Sequence, residues 1–349
     1  MIGTTADSAS TRRPPGPVDP PVDTPPDGVR SREGLARPLA VANLVCQVGI
    51  VVTGGLVRLT GSGLGCPTWP QCVPGSYTPV VEQPEGYHRL VEFGNRLLTL
   101  VLTAVAVATL VAVVRLAGRS RDAGSASEGR GRRGLILLGA APLAGVLAQA
   151  VLGGVTVLTS LHPATVAAHF LLSMVIVAGS TVLLLRLRPP TVWDHRPRAE
   201  VRLLVAGLAV TTAVVVVLGT VVTGSGPHSG DADEPARFGL DPRAMSWIHA
   251  DAALLLVGLA IAVTVALRLV GAPESARRRS GDLLAVLLLQ ALVGYVQYAT
   301  DLPEVLVAAH MLGASLLVVT VTAVATAVLD PRGASPDHDS PPGHLPSPS

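Results

Sequence analysis

Polar side chains thin out along this chain in eight places, and arginine, glycine and proline crowd the connections between them. The apolar runs cover about 38–57, 91–114, 135–157, 164–185, 203–223, 246–267, 283–299 and 304–328. A helix rises about 1.5 Å per residue, so a run of roughly 20 crosses the ~30 Å hydrocarbon core of a bilayer. The pattern predicts an all-α integral membrane protein with eight transmembrane helices. Residues 1–37 and 329–349 are polar, rich in Pro and Gly, and carry no apolar core, so they read as disordered tails.

Composition agrees. Hydrophobic residues make up 49% of the chain and charged ones 14%, where a soluble domain carries about 25% charge. The chain has no lysine, so its orientation rests on 26 arginines. Arg58, Arg89, Arg96, Arg237 and Arg243 fall on one side of the membrane and all the others on the opposite side. The positive-inside bias puts both termini in the cytosol and the protein in the cell (plasma) membrane as a multi-pass chain. The basic connections are thus a topology signal, and membrane lipid rather than nucleic acid is the expected partner. Cys66 and Cys72 bracket CPTWPQC on the outer, oxidising side, where a disulfide is expected. Two cysteines without further ligands make a poor zinc site, and Cys46, inside the first span, reads as packing.

The chain repeats itself. Gln149–His169 and Gln290–His310 agree at ten of 21 positions, with Gln, Gly and His at the same offsets and VAAH closing both. TGSG occurs at 60–63 and again at 223–226. The expected organisation is two tandem four-helix bundles, 38–190 and 203–328, joined by a cytosolic linker at 191–202. Four spans is an even number, so both units would share one orientation, related by a pseudo-two-fold axis along the membrane normal.

Within a unit, the second and fourth spans run parallel on a diagonal of an up-down bundle. His249 opens the sixth span and His310 the eighth, roughly 5–9 Å inside their helices. Two imidazoles at equal depth on diagonal helices can grip a flat disc between them, as axial ligands of a haem iron. One intramembrane histidine can instead hydrogen-bond a neighbouring helix. Repetition at matched depth favours a cofactor.

The first unit differs. His169 opens its fourth span, but Asn95 stands where the counterpart of His249 is expected. His88, Glu92 and Asn95 follow at i, i+4 and i+7 on one helical face, with Arg96 adjacent. Glu92 is either a chemically active acid or half of an ion pair with Arg96 one turn on. His162 and His228 lie in outer loops and read as solvated rather than as ligands. Two other classes fit parts of the pattern: a dihaem b-type cytochrome that only carries electrons, and a transporter built from parallel repeats.

GGLVRLTGSGLGCPTWPQC (54–72), EFGNR (92–96), the two VAAH helices and the duplication resemble the haem A synthase family over nearly all of 38–328. The resemblance implies an oxidoreductase that converts a ring methyl of haem O to the formyl group of haem A for terminal oxidase biogenesis. It implies haem b on His249 and His310, and the substrate haem on His169. Glu92 matches the family's catalytic acid, Asn95 and Arg96 would support the substrate site, and Cys66 and Cys72 match an outer-loop pair. The family's usual span-2 motif is Glu-x-x-His-Arg. With asparagine in the histidine's place, either His88 takes over as a ligand or the iron keeps an open sixth position. Haem O synthase, oxidase assembly factors and a homo-oligomer are the partners this resemblance allows.

Overall fold

In the computed structural model, helices form at all eight apolar runs: α1 (Ala36–Leu59), α2 (His88–Arg119), α3 (Ala126–Leu158), α4 (Pro163–Arg186), α5 (Ala199–Ser225), α6 (Pro242–Leu269), α7 (Glu274–Ala299) and α8 (Glu304–Leu329). The structure describes residues 3, 34–81, 86–119, 126–228, 230–231 and 236–330. Most of the two expected tails therefore lies outside the described residues. All eight helices are long and apolar enough to cross a membrane.

Two helices begin well before their apolar runs. α7 starts at Glu274, whose carboxylate accepts from Arg278 at 2.6 Å one turn later, so its first turns are polar yet helical. α3 starts at Ala126 and carries Pro142 inside the span, where it removes one backbone donor. Proline also marks beginnings, at the first position of α4 (Pro163) and α6 (Pro242), where no N–H is needed. Several hydroxyls within the helices bond to their own backbones; Thr181 and Thr212 each donate to the carbonyl four residues back at 2.8 Å.

The helices of each half form a closed ring: α1 packs on α2, α2 on α3, α3 on α4 and α4 on α1, and α5–α8 do the same. α2 and α4 are thus diagonal partners, as are α6 and α8. The halves meet through α1, α4, α5 and α8. Val51, Met174 and Val216 are buried there, with Phe170, Leu171, Met311 and Val318 against them. The second half holds a large apolar core running from Val201 and Leu208 through Leu256, Leu267, Leu283 and Val328. The 191–202 segment belongs to it: Trp193 is buried in that core and its indole donates to the Ala327 carbonyl at 2.9 Å. Among the described residues, the first half has only a small cluster of its own around Ala40, Val113, Leu183 and Leu184, plus a buried bond from Asn43 to Ser180 at 3.0 Å.

At one end of the bundle the loops knit together. Arg58 donates to the Thr223 carbonyl at 2.7 Å and the Gly63 amide to the Gly230 carbonyl at 3.0 Å. The turns leading into α4 and α8 are built alike. Ser160 and Leu161, and equally Asp301 and Leu302, have positive φ, and in each turn the leucine amide reaches back five residues, to Thr156 and to Gln297. Left-handed non-glycine residues are uncommon, so the same strained turn at both places is a structural echo of the sequence repeat. TGSG is not such an echo: Thr60 follows α1, whereas 223–225 are the last turn of α5.

Candidate functional site

His169 is six residues past Pro163 at the start of α4, and His310 six past Glu304 at the start of α8. Asn95 is seven past His88, which opens α2, and His249 seven past Pro242, which opens α6. Each histidine lies against a glycine of the preceding helix. A Cβ on Gly153 would meet His169 Cε1 at 3.2 Å, one on Gly294 would meet His310 Cε1 at 3.2 Å, and one on Gly219 would meet His249 Cε1 at 3.3 Å. The glutamines complete the pattern: Gln149 Nε2 donates to the His169 carbonyl at 2.9 Å and Gln290 Nε2 to the His310 carbonyl at 2.8 Å. The Gln, Gly and His that recur in the sequence are therefore one contact unit on two adjacent helices.

The structure brings His249 and His310 together, with ring centroids 6.5 Å apart and planes at 69°. A metal–imidazole bond is about 2.0–2.1 Å and a ring nitrogen lies about 1.1 Å from its ring centre, so two axial imidazoles have centroids about 6.3 Å apart. The observed spacing fits one iron between them. The rings are half-buried; Nδ1 of His169 and of His310 is buried with no hydrogen-bond partner, whereas His249 hydrogen-bonds to the Val215 backbone of the preceding helix. Buried polar atoms are normally satisfied, and an orphan marks a place for a ligand or a water.

Asn95 occupies in the first half the place of His249 in the second. Gly54 on α1 faces it, a Cβ there lying 3.9 Å from Asn95 Nδ2, and the Thr53 hydroxyl donates to Asn95 Oδ1 at 2.9 Å. His88 is elsewhere. It sits in the first turn of α2, stacked on Tyr87 at 4.0 Å, with Ser62 Oγ 2.8 Å from its Nδ1.

Glu92, 6% exposed, turns toward the loop that follows α1. Its Oε2 accepts from the Cys66 amide at 2.6 Å, and its Oε1 from Arg96 Nη2 at 2.6 Å and Nε at 3.0 Å. Arg96 also donates to the carbonyls of Cys66, Thr68 and Gln71. Cys66 and Cys72 are joined by the expected disulfide. The pair thus clamps the disulfide loop onto α2, and Trp69 at its tip lies over Gly154 of α3, next to the glycine that faces His169. Acid, arginine, disulfide and histidine form one assembly at this end of the first half.

Residues 37–322 match the family described as cytochrome oxidase assembly protein, COX15-CtaA. The chain belongs to that family. It is similar to a protein named heme A synthase from Bradyrhizobium sp. (strain ORS 278), 28% identical over 337 residues, which cover 84% of this chain and 90% of that one. Partial matches to heme A synthases of Lysinibacillus sphaericus (strain C3-41), at 34%, and Geobacillus thermodenitrificans, at 35%, cover about two-fifths of each chain.

Other positions in this COX15-CtaA chain sort themselves in the structure. His162 is exposed and caps α4, its Nδ1 accepting from the Ala164 amide at 3.3 Å. His228 differs from the solvated reading: it is half-buried, with Nε2 3.1 Å from the Leu302 carbonyl in the α7–α8 turn. Reasoning from the sequence missed Gly54, Gly219, Thr53 and Trp69 as parts of the site. Gly153 and Gly294 were visible as repeated letters, but nothing in the sequence showed that they touch a histidine ring.

Proposed function

We propose that this membrane protein is a haem A synthase, an oxidoreductase that oxidises a ring methyl of haem O to a formyl group. The observation that carries the reading is the His249–His310 pair, spaced for one iron. Those two histidines would hold haem b, which supplies a redox couple that side chains lack. The first unit, 38–190, would take haem O on His169, and the second, 203–328, would keep haem b, the two being related by an axis along the membrane normal.

The methyl becomes an aldehyde by two hydroxylations and loss of water, with oxygen and electron acceptor supplied from outside the chain. Glu92 is the acid assigned to proton movement there. Its contacts support a residue that also positions: it fixes the Cys66–Cys72 loop over α2 and α3, and Arg96 holds its orientation. On this reading both termini lie in the cytosol and the haem sites near the outer face of the plasma membrane, which the basic connections support.

The test is a reduced-minus-oxidised spectrum of the purified protein, followed by acid extraction and chromatography of its haems. Haem b together with haem O or haem A is expected. Haem b alone from cells that make haem O would turn the reading into that of an electron carrier, and a colourless protein would end it.

A further inference from the structure

The first half repeats the histidine cradle but lacks one of its two histidines. The turns before α4 and α8 match, and the Gln149–Gly153–His169 and Gln290–Gly294–His310 units share their Gln–His and Gly–His contacts. Since Asn95 meets Gly54 as His249 meets Gly219, and both are seven residues into their helices, Asn95 is the group opposite His169. A carboxamide is not among the side chains that serve as axial haem ligands, which are His, Cys, Met and Tyr. It does carry two N–H donors.

The contacts fix which end of the amide is free. Thr53 Oγ1 donates to Oδ1 at 2.9 Å, so that oxygen is engaged by α1 and Nδ2 is the group left to offer. The smaller side chain also leaves slack: the would-be Gly54 Cβ stands 3.9 Å from Asn95, against 3.3 Å from Gly219 to His249. His88 does not fill the gap. Seven residues before Asn95, it lies about 10 Å nearer the helix end, and Ser62 and Tyr87 hold it there.

We propose that His169 alone ligates the iron of the substrate haem, and that the open face lies under Asn95, whose Nδ2–H donates to a small ligand on the iron. Water fills that position at rest, and small diatomic molecules or cyanide can replace it. The second half, with two imidazoles, offers no such position. This inference rests on the proposed function, because it takes haem O as the occupant of the first half.

Full-length protein purified from cells that produce haem O would be examined by electron paramagnetic resonance in the ferric state, and by carbon monoxide binding after reduction. One low-spin and one high-spin ferric species are expected, with carbon monoxide binding to about half of the haem. Asn95→His should convert the high-spin species to low-spin and lower carbon monoxide affinity at least tenfold. Asn95→Ala should stay high-spin and still bind it, with a shifted C–O stretching frequency because the donor is gone. The low-spin signal of the second half reports in every sample that the variant is folded. Two low-spin haems in the unsubstituted protein, with a high-spin species appearing only in His88→Ala, would overturn the inference and make His88 the ligand. An unshifted C–O stretch in Asn95→Ala would remove the donor role. A haem extract without haem O or haem A would overturn the functional reading itself, and this inference with it.

Discussion

The two halves share a ring of four helices, a repeated strained turn and a Gln–Gly–His unit, but spend their residues differently. The second half is packed: its apolar core runs from α5 through α8 and takes in Trp193 from the linker. Among the described residues the first half has no such core, and it carries its specialised contacts at one end, where Glu92, Arg96, the disulfide loop and Trp69 close over the helices. A bundle built to keep a cofactor gains from dense packing. One built to admit and release a large flat substrate gains from a looser interior and a fastened lid. The contrast between His249 and Asn95 is the chemical side of the same division.

The largest effect should come from His310→Ala or His249→Ala, which leave a two-point grip with one point. The low-spin haem b signal should disappear and bound haem should fall by about half, read from pyridine haemochrome spectra per protein. Loss of the first-half haem instead would reverse the assignment of the halves. Next is Glu92→Ala. Removing one partner of a buried ion pair costs about 3–5 kcal/mol, and Arg96 is 24% exposed, so the lower end applies. Haem b should stay while haem A production stalls, and Cys66 and Cys72 should become reducible under milder conditions, followed by alkylation. Undiminished haem A would remove the catalytic role.

Smaller still are the cradle glycines. Gly153→Ala and Gly294→Ala each bring a methyl to 3.2 Å from a histidine ring and should displace it by a few tenths of an ångström, each shifting the spectrum of its own half only. Gly54→Ala, whose methyl would meet Asn95 at an ordinary contact distance of 3.9 Å, should be silent. Equal shifts at all three positions would mean that the rings are not held by these contacts. The smallest effect is Ser62→Ala, which frees His88 at a cost of about 0.5–1.5 kcal/mol and leaves both haem spectra unchanged.

The eight spans were legible because a bilayer imposes one length and one composition on every crossing helix. The histidine repeat was legible because three residue types kept their offsets across two copies. What was hidden depends on chain crossings that no local pattern records. Glu92 and Arg96 read equally well as catalyst or ion pair, and only the fold shows that both grip Cys66, 26 and 30 residues earlier. TGSG looked like a repeat, yet one copy bends away from α1 and the other finishes α5. His228 looked free because its partner, the Leu302 carbonyl, is 74 positions away.

Gly55 stands next to the glycine that faces Asn95, and Met311 next to the histidine that would hold haem b. A Cβ on Gly55 would lie 2.5 Å from the Met311 sulfur, so the Met311 thioether packs into the space that the missing atom leaves. On the functional reading above each half would hold a haem, and electron tunnelling between two haems falls off steeply with the distance between them. A single hydrogen in place of a side chain thus makes room for a thioether at the seam between the halves, and a valine there would push Met311 aside or widen the seam.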